Sequence, residues 1–164
     1  LATKLLRQAA HILLIASGAH ADLNSTLLLA ERLNLDQQIT IEHASAHTHS
    51  RQRVHNIVAD RGKSTFNGRI HIHEGAIKSD AQLSNKNLGL GANATINTKP
   101  ELTIYPDDLS CSHGATQGQL EHNPLLYSST PARAAGAVLA RMAREALEAL
   151  ELRVRVDVAR ARAP

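Results

Sequence analysis

Short apolar and β-branched runs recur along the first 130 residues, separated by small clusters of turn residues. Ile12–Ile15, Thr26–Leu29, Ile39–Ile41, Val54–Val58, Arg69–His73, Ala94–Asn97 and Leu102–Tyr105 are the predicted strands. Several alternate in polarity, as a strand with one buried face does. Turns are predicted at Ala21–Asp22, Leu35–Asp36, Ala59–Asp60, Glu74–Gly75, Gly91–Asn93 and Pro106–Asp108. From Asp60 the markers Gly75, Ala92 and Asp107 follow at steps of 15, 17 and 15 residues. A near-constant interval between short strands predicts the stacked coils of a β-solenoid. Asn and Gly at the turns are expected to supply left-handed backbone angles. Asn85, Asn87, Asn93 and Asn97 are expected to form a hydrogen-bonded ladder between coils. An antiparallel sandwich or barrel is the competing architecture, but two-residue Asn-Gly or Asp-Gly hairpin turns are scarce. The strict six-residue repeat of the left-handed acyltransferase helix is absent.

The pattern changes near Ser129–Pro131. The last 34 residues hold eleven Ala and seven Arg and no Asn, Gln, Lys, Ile or His. Thr130 can cap a helix and Pro131 suits its first position. Ala135, Val138, Leu139, Met142, Ala146 and Leu150 make one apolar stripe at 3-and-4 spacing, which predicts an amphipathic helix. Arg141 with Glu145, and Arg144 with Glu148, add i,i+4 pairs. From Leu152 to Val158 the pattern becomes alternation with Arg. Two parts follow: a β core over 1–127 and a helical tail over 128–164.

Composition narrows the picture. The chain has 164 residues, the size of one domain, and 43% are apolar. Phe66, Tyr105 and Tyr127 are its only aromatic residues, so the core must be aliphatic. That argues against an immunoglobulin-like sandwich and against a base-stacking nucleic-acid platform. The net charge of +3 is too weak to argue for nucleic acid. Cys111 is the single cysteine, which excludes internal disulfides and multi-cysteine zinc frameworks and fits a reducing compartment. No apolar run near the start is long enough to span a bilayer, and no signal segment is visible. A cytoplasmic protein without membrane attachment is expected.

The densest chemistry lies in Ser110-Cys111-Ser112-His113-Gly114-Ala115-Thr116. On a strand, Cys111 and His113 share a face. The pair reads as a small thiol beside a hydrogen-bonded histidine, as two ligands for iron, zinc or copper, or as a nucleophile and base. Two ligands do not close a metal site, so a second chain would be needed. His43, His47, His49, His71 and His73 could form a metal-binding module, or line a polar outer face. Asp107 and Asp108 could work as acid and base, or cap a turn. Gly89-Leu90-Gly91 is not a phosphate loop.

Several strings in order resemble the core domain of the SufB/SufD family, scaffold components of SUF iron–sulfur cluster assembly. They are Phe66-Asn67-Gly68, Ser79-Asp80-Ala81-Gln82, Asn85-Lys86-Asn87-Leu88, Asn97-Thr98-Lys99-Pro100-Glu101-Leu102, Ile104-Tyr105, Asp107-Asp108 and the Cys111–Thr116 run with Gly118 and Leu120. Glu42-His43-Ala44 and Ser50-Arg51-Gln52 continue the likeness upstream. The Cys-Ser-His-Gly-Ala-Thr string is similar to the SufD branch. The resemblance implies a right-handed parallel β-helix followed by a C-terminal α-helical segment, and a non-enzymatic scaffold. It implies a SufB-like paralogue and a SufC-like ABC-type ATPase as partners, with a homodimer as another arrangement. It implies a transient iron–sulfur cluster shared with the partner. His113 is the residue it places at that cluster, with Cys111 as a member of the same motif. After Tyr127 the family's Arg-Gly stretch before its terminal helices is missing, which leaves ATPase docking open. The family's N-terminal helical domain is missing too, as expected of a fragment. The competing functions are a β-solenoid hydrolase, lyase or transferase using Asp107, Asp108 or His113, and the histidine metal module.

Overall fold

Eight strands of ten or eleven residues wind into two parallel sheets. The computed structural model describes residues 4–90, 92–119 and 155–156. The strands are β1 Lys4–Leu14, β2 His20–Leu29, β3 Leu33–His43, β4 His49–Ala59, β5 Lys63–Ile72, β6 Asp80–Leu90, β7 Thr95–Ile104 and β8 Ser110–Gln119. Odd strands build one sheet in the order β1-β3-β5-β7, and even strands build the other in the order β8-β6-β4-β2. All pairings among these eight are parallel. The solenoid is therefore observed, and the antiparallel alternative is excluded. A two-residue strand β9, Arg155–Val156, pairs antiparallel with Ala21 and Asp22 of β2.

Lys4 stands beside Leu33, Asn34 beside Lys63, and Lys63 beside Thr95. One coil thus takes about 30 residues, and the 15-to-17-residue interval in the sequence is half a coil. Side chains alternate in and out, most plainly in β3 and β6. The inner residues are mainly aliphatic: Leu23, Ile39, Val54, Ile70, Ile72 and Leu83 pack around Phe66. Polar residues also stack inside. Gln37 donates to Gln8 and Ser25, and Asn56 donates to Gln37 and Ser64.

Two predicted turns are wrong. Ala21–Asp22 lies inside β2 and Leu35–Asp36 inside β3. Ala21 and Leu35 are buried, while the aspartates face outward and pair with His20 and Arg7. The acids belong to the outer row of an alternating strand. The runs Ala94–Asn97 and Leu102–Tyr105 are one strand, β7, which continues through Pro100. Proline is tolerated there because β7 is a terminal strand of its sheet. The asparagine ladder is partial: Asn87 donates to Asn85 inside the coil, but Asn97 is exposed on β7 and Asn93 lies in a turn.

The corners stack as regularly as the strands. Gly18, His47 and Lys78 occupy left-handed backbone at one corner, and Glu31 and Asp60 do so at another. Non-glycine residues therefore carry most of these angles, against the expectation of Asn and Gly. Their amides are held by the next coil: Gly18 N–H donates to Ala46 O, His47 N–H to Ile77 O and Lys78 N–H to Asp108 O. These bonds offset the strain of a positive φ. The helix predicted within 128–164 lies outside the described residues, apart from the strand at Arg155–Val156.

Candidate functional site

Among the described residues, the last coil ends on two strands that are each paired on one side. β8 is hydrogen-bonded to β6 on one side only, and β7 to β5. Cys111 stands beside Ala81 and His113 beside Leu83. Ala81 and Leu83 are buried inward-facing residues of β6. Cys111 and His113 therefore share the inner side of the register, as the two-residue spacing predicts. Their environments differ. Cys111 is half-buried and packs against the Phe66 cluster, while His113 is exposed. Burial pushes the Cys111 thiol pKa up, and the Asp80 carboxylate adds to it. A raised thiol pKa opposes spontaneous thiolate formation, which weakens the nucleophile reading.

The other candidates separate in space. Asp107 and Asp108 sit in the exposed corner between β7 and β8, where the Asp108 carbonyl accepts the Lys78 amide. The histidine tract is dispersed. His47 is a corner residue and His49 faces outward. His43 is wholly buried, contrary to the outer-face reading. Its Nδ1 lies 2.8 Å from Thr48 Oγ1 and its Nε2 2.8 Å from Ser50 Oγ, and Thr48 continues to Ser79. Burial, with the nearby His49 charge, lowers its pKa to about 4, so it is a neutral core residue at pH 7. Among the described residues, no group of three or more His, Cys, Asp or Glu side chains is placed to hold a metal ion.

One polar cluster went unread in the sequence. Glu42 lies between His11 and His73, with Oε1 2.7 Å from His11 Nε2 and Oε2 2.9 Å from His73 Nε2. The His71 ring lies 4.3 Å from that of His73 and 5.5 Å from Tyr105. Hydrogen bonds from His73 and then His11 hold the Glu42 carboxyl pKa below its usual value. His11, Glu42 and His73 are one coil apart, so only the 30-residue period could have shown them together.

On the even-numbered sheet, a groove of about 320 Å³ is lined by Thr26, His55, Ile57, Lys86, Leu88 and Thr116, among others. No helix among the described residues is long and apolar enough to cross a membrane.

Comparison with known proteins matches residues 1–130 to the family model for SUF system FeS cluster assembly, SufBD core domain. The chain is 40% identical over 105 residues to the iron-sulfur cluster assembly protein SufD of Escherichia coli, covering 64% of this chain and 25% of that protein. It is 39% identical over 100 residues to an iron-sulfur cluster assembly SufBD family protein of Synechocystis, covering 61% and 22%. It is 36% identical over 98 residues to the chloroplastic protein ABCI7 of Arabidopsis thaliana, covering 59% and 20%. The chain thus spans a quarter or less of the length of these relatives.

Proposed function

Since the chain belongs to the SufB/SufD family, we propose that it serves as a SufD-like scaffold in iron–sulfur cluster assembly, without catalysis of its own. The observation that carries this reading is the Cys111–His113 rung on the inner side of β8, a strand that pairs only with β6 among the described residues. The cluster is cargo here, not a resident cofactor. Clusters of the common types take four protein ligands. The rung offers one thiol and one imidazole, so the others come from a partner, a SufB-like paralogue. A site divided between chains holds its cargo weakly enough to release it.

The two residues have different duties on this reading. His113 is exposed and reaches the partner without rearrangement. Cys111 sits deeper and enters only when the metal displaces its proton, because burial favours the thiol. A SufC-like ATPase supplies the motion that opens the interface. The cytoplasm, which is reducing, is the place of action because Cys111 stays unpaired there.

A hydrolase, lyase or transferase reading lacks converging groups: Asp107 and Asp108 lie in an exposed corner, while His113 lies on the inner face of β8. The test is anaerobic reconstitution with iron and sulfide, alone and with a SufB-like paralogue. The scaffold reading expects the cluster's visible absorption chiefly with the paralogue. Equal loading of the lone chain contradicts it.

A further inference from the structure

The outer face of the even-numbered sheet has a feature that the Cys–His rung does not explain. Its outward positions run in register across the strands, in rows that begin at Asn24, Thr26 and Leu28. The Thr26 row continues with His55, Lys86 and Thr116, and the Leu28 row with Ile57, Leu88 and Gly118. Ile57 is only 8% exposed although it stands on the outward side, and the groove opens beside it. Cys111 and His113 lie on the inner side of β8, so groove and rung are separate surfaces.

Charge, hydrogen bonding and shape each give this groove a chemistry. The three rows hold two permanent cations, Arg53 and Lys86, and no acidic residue. Lys86 is exposed, and its neighbours along the row are His55 and Thr116. Asp22 stands beside Arg51, but two rows from Thr26 toward the strand starts, about 13 Å away. The opposite sheet differs: there Arg7 meets Asp36, and Arg69 and Lys99 meet Glu101. Within the groove, Thr26 Oγ1 is buried without a hydrogen-bond partner among the described residues. A buried hydroxyl in that state gains from any ligand oxygen brought to it. Gly118 leaves the space over Leu88 open. A Cβ there would stand 3.6 Å from Leu88 Cδ1, an ordinary contact, so a side chain would fit and would fill the floor.

We infer that the groove binds a small organic anion with an apolar body. The body lies on Ile57 and Leu88, in the space that Gly118 leaves. The anionic group meets Lys86, with Arg53 one row behind it, and accepts a hydrogen bond from Thr26 Oγ1. At about 320 Å³ the groove has the size of a small-molecule site. Its apolar floor supplies affinity, and its uncompensated cations select the charge. None of this depends on where a cluster is built, so the inference stands apart from the scaffold reading.

The dye anilinonaphthalene sulfonate has this chemistry, and phenylnaphthylamine is the same body without the charge. Fluorescence titration of the full chain with the charged dye should show one saturable site. Lys86→Gln should weaken that binding about fivefold and the neutral dye's by less than about twofold. Gly118→Val should weaken both dyes about fivefold or more. Octanoate should displace the charged dye, and inorganic phosphate at the same concentration should not, because it has no apolar body. Absence of saturable binding overturns the inference, as does a Lys86→Gln effect equal on both dyes or missing from both. Displacement by phosphate as readily as by octanoate overturns it too, by reducing the groove to a patch of charge. Should Gly118→Val unfold, Lys86→Gln read on the two dyes decides, because that side chain is exposed.

Discussion

The ring of Phe66 occupies the space where Gly68 would carry a side chain. A Cβ at Gly68 would stand 2.5 Å from Phe66 Cζ and 2.7 Å from Leu83 Cδ1. Phe66 is the largest fully buried side chain and sits at the centre of the aliphatic core. The glycine in Phe66-Asn67-Gly68 thus makes room for the Phe66 ring in the interior. Gly68→Ala should destabilise the solenoid by about 1–3 kcal/mol through overpacking. The urea midpoint would measure it. Phe66→Leu combined with Gly68→Ala should recover part of the loss, since the pair share one space.

His43 makes stability depend on pH. Burial lowers its folded pKa to about 4, against about 6.5 for a solvated histidine. Between these values the unfolded chain binds more protons, so stability rises with pH across that window. It should fall as pH drops below about 6.5, levelling off below about 4, by up to roughly 3 kcal/mol. His43→Gln should flatten that part of the profile. An unchanged slope in the variant would assign the dependence to other groups.

Glu42 contributes in the opposite chemical form. Its folded pKa is depressed by His73 and His11. Its contribution is present above the unfolded carboxylate pKa and is lost as pH falls through the lower folded value. Glu42 is only 24% exposed, but His11 is 63% and His73 42% exposed, so the expected loss in Glu42→Gln is at most about 1 kcal/mol. Thermal melts at neutral pH in low and high salt would measure it, with the smaller loss in high salt.

Cys111 should react slowly. Its thiol pKa is raised and its side chain is packed against the core. Alkylation by iodoacetamide at pH 7.5 should be slower than that of a free cysteine, and should speed up in urea. Equal rates would mean that the thiol is already exposed as thiolate.

Much of the fold was legible because strand polarity and corner spacing are local signals. Val54–Val58 lies within β4, and the corners at Asp60, Gly75, Ala92 and Asp107 all stand. The even strands β6 and β8 were harder to read. Ser84, Asn85, Lys86 and Asn87 of β6 look like loop residues, yet Asn85 is buried and donates to the Val54 carbonyl. A solenoid lets polar side chains stack on their own kind, which single-strand propensity does not register. Aspartates misled in the other direction, since Asp22 and Asp36 mark outer rows rather than turns. Of the candidate site, the shared face of Cys111 and His113 followed from their spacing. Their unequal burial did not, because it depends on Ala81 and Leu83 beneath and on no strand beyond β8 among the described residues.

The central claim is that His113, on the terminal described strand β8, completes a cluster site with another chain. The direct measurement is iron and sulfide bound per complex after anaerobic reconstitution of the chain with a SufB-like paralogue, compared with the His113→Ala complex. The account predicts that the variant still pairs with the paralogue but loses most of its cluster, while His71→Ala retains it. Full cluster loading in an intact His113→Ala complex would contradict the account.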